Sequence, residues 1–173
     1  MSAEDYFFKY LILGDLSTGK TSLLYRYCEN SNPPQNLVDY KTKILELNKK
    51  SIRLQIWDVA DDDRFKNFKK SYYQFVTGII IIYDITNLES FKNLNNWLTQ
   101  IEKCSTRKNI KILIGNKSDC ENERKVKFEE GKEFAEKNNM KFFEISVKDN
   151  KNVEDAIKCL TEDNVKLADE NKE

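Results

Sequence analysis

Apolar residues recur along this chain at two periods. Short runs bounded by turn residues predict strands over residues 6–13, 43–47, 52–57, 79–83, 111–114 and 142–145. Between them, apolar positions three and four apart predict helices over 20–28, 64–73, 90–104, 128–138 and 153–167. Asn48-Lys49-Lys50 leaves room only for a tight connection, so the two strands it joins form an antiparallel pair. Elsewhere strand and helix alternate, which implies βαβ units, a mostly parallel sheet and helices on both faces. The pattern therefore predicts an α/β fold with six strands and five helices, and 173 residues make one domain over 1–173. Residues 161–173 read as the polar end of the last helix and a tail. Sheets of this kind bind ligands at the carboxyl ends of their strands, which directs attention to the loops after Leu13, Trp57, Ile114 and Ile145.

Composition removes several chemistries. The chain has no histidine, which excludes His-based acid–base catalysis, Ser-His-Asp triads and the usual zinc ligand sets. Lys+Arg and Asp+Glu balance at 29 each, so the basic excess of a nucleic-acid binder is missing. Lys66, Lys69 and Lys70 read as a solvated helical face. The cysteines, Cys28, Cys104, Cys120 and Cys159, are scattered without a Cys-x-x-Cys pair, which fits a reduced cytoplasmic compartment. The M-S-A-E-D-Y start has no signal-peptide character, and the longest apolar run, 78–83, is too short to span a bilayer.

Two loops then carry chemistry. Gly14 to Thr21, G-D-L-S-T-G-K-T, matches Gly-x4-Gly-Lys-Ser/Thr and falls between a predicted strand and a predicted helix. Its glycines let the backbone curl so that N–H groups from Gly14, Leu16, Ser17, Thr18 and Gly19 through Ser22 face a phosphate. Lys20 supplies charge to the β- and γ-phosphates, and the Thr21 hydroxyl is a ligand for Mg²⁺. After the fifth strand, G-N-K-S-D brings Asn116, Lys117 and Asp119. The Asp119 carboxylate accepts from both the N1–H and the exocyclic amine of guanine, a donor pair that adenine does not offer. Lys117 is placed to lie over the base and Asn116 to tie the loop back to the phosphate loop. In E-I-S-V-K, Ser146, Val147 and Lys148 stand where backbone amides reach the guanine oxygen, although the residues alone equally suit an ordinary strand-to-helix turn. Asp119 weighs against a P-loop kinase or ATPase.

With these motifs in place, the chain resembles the Ras superfamily of small GTPases, and within it the Rab family. L-Q-I-W-D (54–58), R-F (64–65), S-Y-Y (71–73), G-I-I-I-I-Y-D-I-T (78–86), L-E-S-F (88–91) and W-L (97–98) follow the Rab pattern. The resemblance implies a P-loop small-GTPase fold, binding of GTP or GDP with Mg²⁺, and two switch segments that report which nucleotide is bound. It implies that Asp58 holds Mg²⁺ through water, and it implies effector and exchange-factor partners in the traffic of vesicles. A Rab usually ends in a prenylated tail; this sequence ends A-D-E-N-K-E, so membrane attachment, peripheral to endomembranes, requires a further tail or a partner.

Both switches depart from the family pattern. The first switch of a Rab carries a threonine that touches Mg²⁺ and the γ-phosphate; counting back from Asp58, that place falls at Gln35, beside Pro33 and Pro34. The second reads W-D-T-A-G-Q-E in a Rab and W-D-V-A-D-D-D here, so Asp61 replaces the glycine, Asp62 the water-orienting glutamine, and Asp63 follows. The same acidic run also suits the N-terminus of the next helix. The expectation is a nucleotide binder with slow hydrolysis and a preference for GDP, with Asp62 standing in the catalytic position. The competing reading is a pseudo-GTPase scaffold that holds nucleotide constitutively or not at all.

Overall fold

The computed structural model describes residues 4–35, 39–59 and 69–172. Six strands form one sheet in the order β2-β3-β1-β4-β5-β6: β1 Tyr6–Leu13, β2 Tyr40–Leu47, β3 Lys50–Asp58, β4 Gly78–Asp84, β5 Ile110–Asn116 and β6 Lys141–Glu144. Every pairing is parallel except β2 with β3. That hairpin turns on Asn48 and Lys49 alone, both left-handed at φ 53° and 65°, the two-residue turn whose twist matches its strands.

The helices are α1 Lys20–Glu29, α2 Lys69–Tyr72, α3 Leu88–Lys92, α4 Leu94–Cys104, α5 Phe128–Lys137 and α6 Val153–Glu170. The helix predicted over 90–104 starts earlier, where the Asn87 side chain caps the amides of Glu89 and Ser90, and it is interrupted at Asn93. Counting α3 and α4 as that one interrupted helix gives the five predicted. Of the predicted helix 64–73, residues 64–68 lie outside the described residues. No helix among the described residues is long and apolar enough to cross a membrane.

The strand period of two sorts the core into two layers. Tyr10 and Ile12 of β1 pack with Ile80, Ile82, Ile112 and Ile114 against Leu23 and Leu24 of α1 and Ile157 and Leu160 of α6. Leu11 and Leu13 face the other way, with Ile79, Ile81 and Leu113, onto Leu94, Trp97 and Ile101 of α4 and Ala135 of α5. The central strand β4 is buried at every position, which is why its sequence reads as a continuous apolar run. Each wholly buried Ile or Leu contributes roughly 1.5–3 kcal/mol over its exposed state.

Five of the six strands differ from those predicted at one or both ends, by one to three residues, and two of these shifts have a clear local reason. β2 begins at Tyr40, not residue 43, because Tyr40 and Lys41 pair with Trp57 and Ile56 even though this edge strand only alternates exposed and half-buried positions. β6 ends at Glu144, and Ile145 turns toward Gly115, donating its amide to that carbonyl at 2.8 Å.

Packing between α5 and the sheet leaves no space for a methyl group at Gly131. A Cβ there would lie 2.3 Å from Tyr83 Oη and 2.5 Å from Phe142 Cζ. Both belong to rings packed in the core. Gly131→Ala is expected to lower stability by about 1–2 kcal/mol, overpacking outweighing the better helix propensity of alanine. Urea denaturation reads this directly, and a midpoint at or above that of the wild type would contradict it.

Candidate functional site

Three loops meet at the carboxyl ends of the strands around an open cleft of about 580 Å³. The first joins β1 to α1. Gly14 lies so close to β4 that a Cβ would sit 2.2 Å from the Ile82 carbonyl oxygen. Gly19 has a left-handed backbone at φ 103°, and a Cβ there would meet Asn116 Nδ2 at 2.3 Å. The N-cap residue of α1, Gly19, has no side chain to cap the helix amides, and the first turn holds no acidic residue. The positive end of the helix therefore opens into the cleft. Ser17 also takes a left-handed backbone, φ 63°, which costs a non-glycine residue roughly 1 kcal/mol.

Lys20 is buried, and its ammonium donates to the carbonyls of Gly14 at 2.8 Å and Asp15 at 2.9 Å. Thr18 is fully buried and donates its hydroxyl to the Asp15 carbonyl at 2.8 Å. The Thr21 hydroxyl hydrogen-bonds the Asp58 carboxylate directly. A hydroxyl and a carboxylate brought together across the cleft are the hard oxygen donors that Mg²⁺ takes. Among the described residues no cluster of three metal-ligating side chains exists, so phosphate oxygens and water would complete the shell.

The second loop follows β5. Asn116 is buried and spans the site: its Nδ2 donates to the Thr18 carbonyl at 2.9 Å, and its Oδ1 accepts from the Val147 amide at 3.2 Å. Lys117 has φ 68° and reaches back to the Ser17 carbonyl at 2.9 Å and the buried Asp84 carboxylate at 2.6 Å. Asp119 accepts the Ser146 hydroxyl at 2.7 Å and the Cys120 thiol at 3.3 Å. The Ser146 hydrogen bond holds the Asp119 carboxyl below the usual carboxylate range, so the group is an ionised acceptor at neutral pH.

The third loop follows β6. Ser146 and Val147 are buried, and Val147 and Lys148 line the cleft together with Leu16 and Ser17. Ser22, at the start of α1, lines it too. Arg124 braces this end of the site, its guanidinium meeting both Glu144 oxygens at 2.7 and 2.8 Å. The cleft thus combines amide donors and an ammonium at one end with an acceptor carboxylate at the other, an arrangement suited to a phosphorylated guanosine.

The switch positions are placed differently. Gln35 is exposed and stands apart from the cleft lining. Asp61, Asp62 and Asp63 lie outside the described residues. Three contributors escape the motif reading. Asn32 and Cys120 line the cleft without belonging to a motif, and Asp84 anchors Lys117. Only Asp84 had a sequence signal, a lone acid ending an otherwise apolar strand.

The Ras family model matches residues 9–166. GTP-binding protein ypt2 of Schizosaccharomyces pombe is 42% identical over 156 residues, covering 88% of this chain and 78% of that protein. GTP-binding protein YPT1 of Saccharomyces cerevisiae is 42% identical over 159 residues, 90% of this chain and 77% of that one. Human Ras-related protein Rab-3A is 43% identical over 162 residues, 91% of this chain and 74% of that one.

Proposed function

The chain belongs to the Ras family as a Rab-like small GTPase, and from that premise we propose that it binds GDP and GTP with Mg²⁺ as a regulator of membrane traffic whose hydrolysis is slow and whose preferred ligand is GDP. The observation that carries this reading is the joining of the two nucleotide loops. Asn116 and Lys117 bond to the carbonyls of Thr18 and Ser17, so guanine and phosphate contacts form one prebuilt cleft. A chain with no use for nucleotide has no physical need for that join. Thr21 and Asp58 would hold Mg²⁺, which would supply positive charge against the phosphates.

The rate and preference follow from Asp61 and Asp62. An ionised carboxylate about 5 Å from a γ-phosphate oxygen opposes that charge by roughly 3 kcal/mol at an effective dielectric of 20. GDP lacks that phosphate and escapes most of the penalty. A carboxylate only accepts hydrogen bonds, whereas the glutamine of a typical Rab both accepts from the attacking water and donates toward developing charge. The site of action this supports is cytoplasmic and peripheral to endomembranes, through a lipid-modified segment or a partner protein.

Mass analysis of the nucleotide released from purified protein, paired with single-turnover hydrolysis, tests the proposal. The expected result is bound GDP and a hydrolysis rate at least about tenfold below that of an ordinary Rab. Hydrolysis at an ordinary rate would remove the slow-enzyme claim. Equal affinity for GDP and a non-hydrolysable GTP analogue would remove the preference, and protein free of nucleotide that binds none on addition would favour the scaffold reading.

A further inference from the structure

The phosphate loop is fastened to the α3–α4 side of the molecule by a residue that the nucleotide motifs leave unassigned. Asp15 is the second residue of the loop, at a position where the motif accepts any side chain. Its Oδ1 accepts the Asn93 side-chain amide at 2.6 Å and the Trp97 indole N–H at 2.8 Å. Trp97, on α4, is buried in the core layer, and Asn93 sits at the α3–α4 interruption. The Asp15 carbonyl accepts in turn from Thr18 and Lys20. One residue therefore connects the packed α3–α4 junction, through its side chain, to the loop's interior and its lysine, through its backbone.

The loop needs such a hold. Ser17 stands in a left-handed backbone that a non-glycine residue leaves readily, and Leu16 beside it is 72% exposed and contributes little packing. Amide donors serve a phosphate only when they stay aligned, because alignment reached before binding costs nothing at the moment of binding. The Asp15 carboxylate turns from the cleft lining toward the α3–α4 side and so needs a partner there. Two well-directed N–H donors from a packed helix junction supply one.

We propose that Asp15, held by Asn93 and Trp97, is the positioning residue of the phosphate loop and sets how long a nucleoside diphosphate is retained. The inference rests on the guanine-nucleotide binding proposed above. It assigns to the α3–α4 junction control of nucleotide release without any contact to nucleotide.

The test compares Asp15→Ala, Asp15→Asn and Trp97→Phe, measuring GDP dissociation and, by competition, affinity for GMP. Asp15→Ala removes the acceptor; Asp15→Asn keeps an oxygen in the same place and removes only the charge. Trp97→Phe keeps most of the ring and removes one donor. With two hydrogen bonds lost, Asp15→Ala is expected to release GDP about tenfold faster, and Trp97→Phe about threefold faster. Asp15→Asn should fall within about threefold of the wild type. GMP affinity should change by less than about threefold throughout, since loop alignment acts chiefly on the β-phosphate. Wild-type release from Asp15→Ala, an Asp15→Asn as defective as the alanine variant, or equal losses for GMP and GDP would each overturn the proposal. Should Asp15→Ala not fold, GDP release from Trp97→Phe at the wild-type rate would overturn the proposal by itself. A wild-type chain that binds no GDP would overturn the nucleotide reading and this one together, a result distinct from all of the others.

Discussion

Asp119→Asn is expected to weaken GDP binding about a thousandfold and to transfer preference to xanthosine diphosphate. The Asp119 carboxylate is positioned by the Ser146 hydroxyl at 2.7 Å and stays ionised, its pKa lowered chiefly by that bond. Guanine presents two parallel donors, N1–H and the exocyclic amine, to the two oxygens. Hydrogen bonds to a charged group contribute about 1.5–3 kcal/mol each, so losing the charge and one acceptor removes roughly 4 kcal/mol, or three powers of ten. Asparagine does more than weaken the pair. Its amide donors would meet the guanine amine, placing donor against donor in a confined site. Xanthine has a carbonyl where guanine has the amine, so the same amide donates to it while the side-chain oxygen accepts from N1–H. Competition of labelled GDP against both diphosphates reads the result. An Asp119→Asn protein that retains GDP like the wild type would remove Asp119 from the base site. A variant that loses both diphosphates equally would point to collapse of the loop.

What could be read from sequence, and what could not, divides along one physical line. Features made by the chain's own neighbours were legible. The run from Ile79 to Tyr83 of β4 is apolar because both of its faces are covered. The phosphate loop has a regular spelling because backbone amides, not side chains, do the binding, and backbone geometry demands glycine at fixed places. Features made by distant partners were hidden. Tyr40-Lys41-Thr42 carries no strand pattern, and only pairing with β3 extends β2 through it. Asp15 looks like any polar loop residue until Asn93 and Trp97, 78 and 82 positions away, are brought against it. One local feature was hidden as well: Asn93 interrupts a helix whose periodicity continues through it, because the caps and turns that break it are polar bonds that a count of apolar positions does not register.

Restoring the Rab residues in the second switch should divide the two proposed properties, GDP preference and slow hydrolysis, between two positions. Asp61→Gly is expected to raise affinity for a non-hydrolysable GTP analogue relative to GDP by about a hundredfold, the equivalent of the roughly 3 kcal/mol charge repulsion removed. It should leave GDP affinity close to unchanged, since GDP escapes most of that repulsion. Asp62→Gln is expected to act on the chemical step instead. An amide that accepts from water and donates toward the γ-phosphate orients the nucleophile and stabilises charge as it develops; a carboxylate repels that charge. A transition-state gain of about 1.4–3 kcal/mol corresponds to a rate increase of about ten- to a hundredfold in single turnover. The double variant should therefore both bind GTP better and turn it over faster, provided Gln35 does not set its own limit at the first switch. That limit is separable, because Gln35→Thr added to the double variant would raise the rate further only if the first switch were limiting. If Asp61→Gly left the GTP-analogue-to-GDP ratio where it was, the acidic run would act solely as the opening of the following helix. If Asp62→Gln left hydrolysis at its starting rate even with Gln35→Thr present, the slow step would lie outside both switches, and the exposed Leu16 at the mouth of the phosphate loop would be the next position to replace.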